Sequence, residues 1–135
     1  MTDAPVSPDM EHLTEISLGA LLTIEDDQSL WDAWQLMFLS GRRHLVIIDG
    51  EGRYLGVVAD RAILAELPLT EERLAERTVS EVMATPAALH PDDSPRAAAQ
   101  RMVEASVEAV PIVDAAGRLQ GMVTTSDLTR WLAGH

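Results

Sequence analysis

Val110-Pro111-Ile112-Val113-Asp114-Ala115-Ala116-Gly117-Arg118-Leu119-Gln120-Gly121-Met122-Val123 (residues 110–123) decides the fold, because the chain contains the same pattern twice. At an offset of 65 residues, Leu45-Val46-Ile47-Ile48-Asp49-Gly50-Glu51-Gly52-Arg53-Tyr54-Leu55-Gly56-Val57-Val58 runs in the same order. An apolar run rich in β-branched residues leads to an aspartate, a turn ending in Gly-Arg, and a second apolar run carrying a glycine. The turn length predicts an antiparallel hairpin. The offset also pairs Ser29 with Ser94, Ala33 with Ala98, Gln35 with Gln100 and Met37 with Met102, with no gap from about Ala20 to Ala65. The period exceeds that of common solenoids and only two copies exist, so this is an internal duplication.

Outward from each hairpin the grammar repeats. Leu30, Ala33, Trp34, Met37 and Phe38 mark the apolar stripe of a helix near Ser29–Ser40. Pro95, Ala98, Ala99, Met102 and Val103 answer it. Ser94-Pro95 is a helix start: a hydroxyl cap, then proline at the first helical position. Closing helices follow near Asp60–Glu66 and Asp127–Leu132. Thr70-Glu71-Glu72 opens a further helix in a charged connector. The expected fold is α/β (α+β): two tandem β-α-β-β-α repeats, packed sheet to sheet with pseudo-twofold symmetry. The expected divisions are a flexible tail at 1–11, repeat 1 at 12–67, the connector at 68–77 and repeat 2 at 78–135.

Composition narrows the function. The chain has 135 residues, 47% of them apolar, enough for a core without staples. Cysteine is absent, which removes disulfides and thiolate chemistry. With 22 acidic and 10 basic residues the net charge is −12, which disfavours nucleic-acid binding but permits a local basic pocket. No apolar run approaches the ~18 residues of a membrane span. The first residues, MTDAPVSPDME, lack the basic start and apolar stretch of a signal peptide, so the expected location is cytoplasmic.

Several motifs carry plain structural readings. The glycines of Gly50–Gly56 have the wrong spacing for a nucleotide fingerprint and precede a strand, as a hairpin turn does. His12, His44, His90 and His135 lack metal-ligand spacing, so no metal site is expected. Glu25-Asp26-Asp27 and Asp92-Asp93 precede helices and favour their N-termini. Nothing assembles nucleophile, base and oxyanion donor, so no catalytic residue and no enzyme activity are expected.

The chemically informative stretch is Gly121-Met122-Val123-Thr124-Thr125-Ser126-Asp127. A strand ends at Val123 and a helix starts around Ser126 or Asp127. The hydroxyls of Thr124 and Ser126 beside free helix N–H groups suit an anion. Asp127 can accept two ribose hydroxyls. The same residues are also strong helix caps, and on the local sequence by itself capping alone is the plainer account of them.

The duplicated pattern, closed by Gly-apolar-apolar-Thr-x-x-Asp, resembles the cystathionine β-synthase (CBS) domain family, two repeats of which form a Bateman module. The resemblance spans roughly Thr14 to Ala133. It rests on Pro111-Ile112-Val113-Asp114, Gly117, Gly121, Thr124-x-x-Asp127, and Val82-Met83 at the entry to repeat 2. It implies a non-catalytic regulatory module, with no required cofactor, that binds AMP, ADP, ATP or S-adenosylmethionine in a cleft between repeats. It also implies a homodimer. Asp127 would take the ribose, Thr124 and Ser126 the phosphate, and Met122 the adenine. The opposite repeat would add Ser17 and Leu22, then Arg42 and Arg43, a basic pair suited to phosphate.

The departures are specific. Repeat 1 has Ala59 and Ala62 where repeat 2 has Thr124 and Asp127, and its Asp60 is two residues off register. Its cleft is expected to be empty or to bind differently. Glu108 stands where some relatives carry basic residues. The alternative is therefore a ligand-free CBS pair serving dimerisation or protein interaction. The regulated protein is expected to be a separate, unidentified partner. Trp31 and Leu39 lie off the helix stripe on a shared face and are expected at the dimer interface, whereas repeat 2 has Arg96 and Glu104 there.

Overall fold

The computed structural model describes Leu13 and residues 21–134. Expectations for the tail at 1–11 and for Ser17 lie outside the described residues. The chain divides into two compact units, residues 21–85 and residues 86–134 with Leu13.

The first unit runs β1 (Thr23–Glu25), α1 (Leu30–Ser40), β2 (His44–Ile48), β3 (Tyr54–Ala59), α2 (Asp60–Leu64) and α3 (Glu71–Ala75), then a 3₁₀ turn at Val79–Glu81. β1 pairs parallel to β2, and β2 antiparallel to β3. Ser29 caps α1 by accepting the Asp32 N–H, while Asp32 takes the Ser29 N–H in return. Gly41 ends the helix at φ +72°, a left-handed conformation that glycine adopts without penalty. The core contains Ile24, Leu30, Ala33, Met37, Leu45, Ile47, Val58, Ile63, Leu74 and Val79.

The second unit repeats the plan with α4 (Pro95–Ala105), β4 (Ala109–Val113), β5 (Leu119–Thr124) and α5 (Thr125–Ala133). Ser94 caps α4 and Pro95 opens it, as the sequence predicts. The register of the two hairpins is the same at the 65-residue offset. Leu45 faces Val58 as Val110 faces Val123, and both ladders shift at equivalent positions, Ile47/Ile48 and Ile112/Val113. Each turn is built alike. Asp49 Oδ1 accepts the N–H groups of Glu51 and Arg53, and Asp114 Oδ1 those of Ala116 and Arg118. Gly52 and Gly117 take φ +81° and +82°. The expected first strand of repeat 2 is reduced to a single parallel bridge, Leu89 with Ile112.

Two features differ from the sequence expectation in position. Residues 78–85, expected in the second repeat, associate with the first unit. Val79 is buried in its core, and Ala84 exchanges both backbone hydrogen bonds with Val57 of β3. Leu13, expected in the first repeat, is buried in the core of the second unit, where its N–H donates to the Asp93 carbonyl at 2.9 Å. The Thr70 start does form a helix: its hydroxyl accepts the Arg73 N–H, and Leu74 anchors α3 in the core.

The helix stripes are narrower than expected. Leu30, Ala33 and Met37 are buried, but Phe38 is 78% exposed. Its counterpart Val103 is 79% exposed, and Ala99 is exposed as well. Trp31, expected off the core, is half-buried against it. The cause is local. α3 packs on α1, and the Leu30 N–H donates to the Arg77 carbonyl, so the start of α1 is covered. Phe38 lies two turns further on, about 10 Å along the axis, beyond that cover.

Candidate functional site

In the second unit the site residues gather at the junction of β5 and α5. The helix begins at Thr125, earlier than the expected Ser126 or Asp127, because Thr124 is its N-cap. The Asp127 N–H donates to Thr124 Oγ1 at 3.2 Å, and the Thr124 N–H donates to Asp127 Oδ2 at 2.8 Å. This reciprocal capping box satisfies two backbone donors and fixes the carboxylate. The other oxygen, Oδ1, accepts from Arg130 Nη2 at 2.7 Å. Asp127 is 5% exposed, while the Arg130 side chain is 71% exposed. Each carboxylate oxygen thus accepts one hydrogen bond, which offsets the burial of the group.

The first-turn amides are unevenly used. Thr125 donates to the Glu108 carbonyl, and Asp127 donates to Thr124. Ser126 is exposed at the second helical position, where no described residue partners its hydroxyl. The helix mouth thus combines a buried carboxylate, an open hydroxyl and the positive end of the helix dipole. Met122 lies half-buried on β5, opposite Pro111.

The first unit answers with a different arrangement. Ala59 caps α2 without a side-chain bond, and Ala62 stands where Asp127 would. Asp60 pairs with Arg43, Nε to Oδ2, at 3.3 Å. Arg43, an expected phosphate contact, is therefore held by a carboxylate of its own unit. The Arg42 guanidinium has no partner among the described residues. Leu22 is half-buried before β1, and its carbonyl accepts the Val46 N–H. Trp31 packs on the core, and Leu39 is 83% exposed.

Sequence reasoning overlooked Arg130. The signal was available, since an arginine three residues beyond an N-terminal helical aspartate shares its face. The repeat comparison marks it too: Ala59, Ala62 and Ala65 stand where Thr124, Asp127 and Arg130 do. A groove of about 270 Å³ lies elsewhere in the second unit, between α4 and α5. It is lined in part by Arg96 and Ala99, which stand where the first repeat has Trp31 and Trp34. Among the described residues no group of side chains suits a metal ion, and no helix is long and apolar enough to cross a membrane.

Comparison with known proteins identifies the family and the fold. The CBS domain family model matches residues 13–69 and 79–134. A homoserine O-acetyltransferase of Methanohalobium evestigatum is 26% identical over 119 residues, 88% of this chain but 24% of that protein. The chain thus spans about a quarter of the length of that curated relative. A crystal structure of a CBS domain pair in complex with 5′-methylthioadenosine and S-adenosyl-L-methionine has a TM-score of 0.79 at 24% identity, covering 92% of this chain and 97% of that one. The CBS domain of a bacterial CNNM/CorC family Mg²⁺ transporter in complex with ATP has a TM-score of 0.81 at 21% identity, covering 95% and 91%. The chain belongs to the CBS domain family, as a tandem pair.

Proposed function

We propose that this CBS pair is a non-catalytic regulatory module that senses an adenine nucleotide at the α5 mouth of its second repeat. The observation that carries the reading is the buried Asp127 carboxylate, fixed beside the open Ser126 hydroxyl in one repeat and replaced by alanine in the other. Each Asp127 oxygen engages one donor and keeps lone-pair capacity, so the carboxylate can still accept a ribose hydroxyl. Ser126 offers a hydroxyl to phosphate, and the dipole favours that charge. Met122 supplies apolar contact for the base. Leu22, Arg42 and Arg43 are proposed as further ligand contacts, each testable by its own substitution. The related pairs bound to ATP and to S-adenosyl-L-methionine support an adenine-containing ligand.

A thermal-shift screen with AMP, ADP, ATP, S-adenosylmethionine and adenosine tests the reading. A ligand present at 100 times its dissociation constant adds about 2.7 kcal/mol of apparent stability. No shift with any of them removes the nucleotide reading.

A second reading, a pair serving association alone, is favoured by one observation: Phe38 and Leu39 stand adjacent and exposed at the end of α1. We place the proposed homodimer contact on these two residues, with half-buried Trp31 in a lesser part.

A further inference from the structure

We propose that Arg130 is the charge-selecting residue of the α5 site, making it specific for anionic, phosphate-bearing nucleotides over neutral nucleosides and S-adenosyl cations. The inference rests on the nucleotide reading above and adds the ligand's charge class.

The argument begins with the cost of bringing phosphate to this surface. The chain carries a net charge of −12, and the site itself contains a buried carboxylate, so an anionic ligand meets repulsion unless a cation stands close by. Arg130 supplies that cation from the same helix. It neutralises Asp127 through one contact, Nη2 to Oδ1, while most of its side chain remains exposed. A guanidinium has five N–H donors, and a single one is used here; among the described residues the others have no partner. Planar, forked donors match a phosphate group, which can accept two of them at once.

Position agrees with chemistry. Arg130 is four residues after Ser126, about 6 Å along the helix axis, within the reach of an arginine side chain. Ser126 and Arg130 stand at i and i+4 on one face of the helix, so a phosphate beside a ribose on Asp127 would meet the open hydroxyl and the guanidinium together. The internal duplication supplies a control. The first repeat has Ala59, Ala62 and Ala65 at the Thr124, Asp127 and Arg130 positions, so the arginine accompanies Thr124 and Asp127. Its role is positioning and charge selection, since it acts on Asp127 as well as on the ligand.

The test compares AMP, adenosine and S-adenosylmethionine by calorimetry on the wild type, Arg130→Gln and Arg130→Lys. The wild type is expected to bind AMP most tightly. Arg130→Gln should weaken AMP by about tenfold or more, the size of a lost charge-assisted hydrogen bond, and weaken adenosine far less. Arg130→Lys should recover part of the AMP affinity, because it restores charge without the fork. An equal loss for AMP and adenosine would reduce Arg130 to a support for Asp127 and overturn the proposal. So would an AMP affinity that Arg130→Gln leaves intact, or a wild type that prefers S-adenosylmethionine. If the wild type binds no adenine compound, the nucleotide reading itself fails and the proposal falls with it.

Discussion

Thr124 and Asp127 hold each other, each donating its backbone N–H to the other's side chain, at 2.8 and 3.2 Å. The pair is thus structural before any ligand arrives. Thr124→Ala removes one half of the box and should cost about 1 kcal/mol of stability. Thr124→Ser should restore it. Urea denaturation of the three proteins measures the difference, and equal midpoints for wild type and Thr124→Ala would contradict the assigned cap.

Acid stability should depend on Asp49. Backbone hydrogen bonds from Arg53 and Glu51 hold its carboxyl below the ordinary value of 3.8. A carboxyl depressed in the folded state contributes stability that is present above its unfolded value and lost as pH falls through the folded one. Asp49→Asn keeps an acceptor for the two N–H groups but cannot titrate. Below about pH 4 the wild type should therefore lose stability more steeply than Asp49→Asn. Parallel denaturation curves across that range would contradict the assignment.

Gly56 should resist substitution while Gly50 tolerates it. A Cβ at Gly56 would lie 2.6 Å from Met83 Sδ and 2.8 Å from the Ala84 carbonyl oxygen, where the chain runs against β3. Gly56→Ala should cost about 1–3 kcal/mol, as overpacking does. Gly50 has open space around it, and Gly50→Ala should stay within about 0.5 kcal/mol of wild type. Thermal unfolding of both variants makes the comparison.

The proposed dimer should depend on Phe38 and Leu39. Replacing both with glutamate places charge on an exposed apolar pair without entering the core. Sedimentation should show a dimer for wild type and a monomer for Phe38→Glu/Leu39→Glu. The same species for both would clear this face of an interface role.

Much of the fold was legible because turns and caps write themselves into short sequence. Asp49 to Arg53 and Asp114 to Arg118 each close on an aspartate and a left-handed glycine, which leaves little freedom in how to read them. Ser29 and Ser94 were readable as caps for the same reason. The Phe38 and Trp31 positions were not, because helical periodicity sets the direction of a side chain but not what lies over it. Trp31 packs on the first core, and the start of its helix is held by a segment more than forty residues further along, where the Arg77 carbonyl accepts the Leu30 N–H. The attachment of Leu13 to the second core is likewise a long-range event with no local signature. At the site, spacing located Thr124 and Asp127, but the engagement of Arg43 by Asp60 required coordinates.

The most direct test of the nucleotide site is a calorimetric titration of wild type and Asp127→Asn with AMP. Asparagine retains a carbonyl oxygen for the Thr124 N–H, so the helix cap survives and unfolding confirms it. The account predicts no more than one tight site per chain in the wild type and a loss of about 1.5–3 kcal/mol of binding in the variant, the range for hydrogen bonds to a charged group. Two equal sites per chain, or an unchanged affinity in a folded Asp127→Asn, would contradict it.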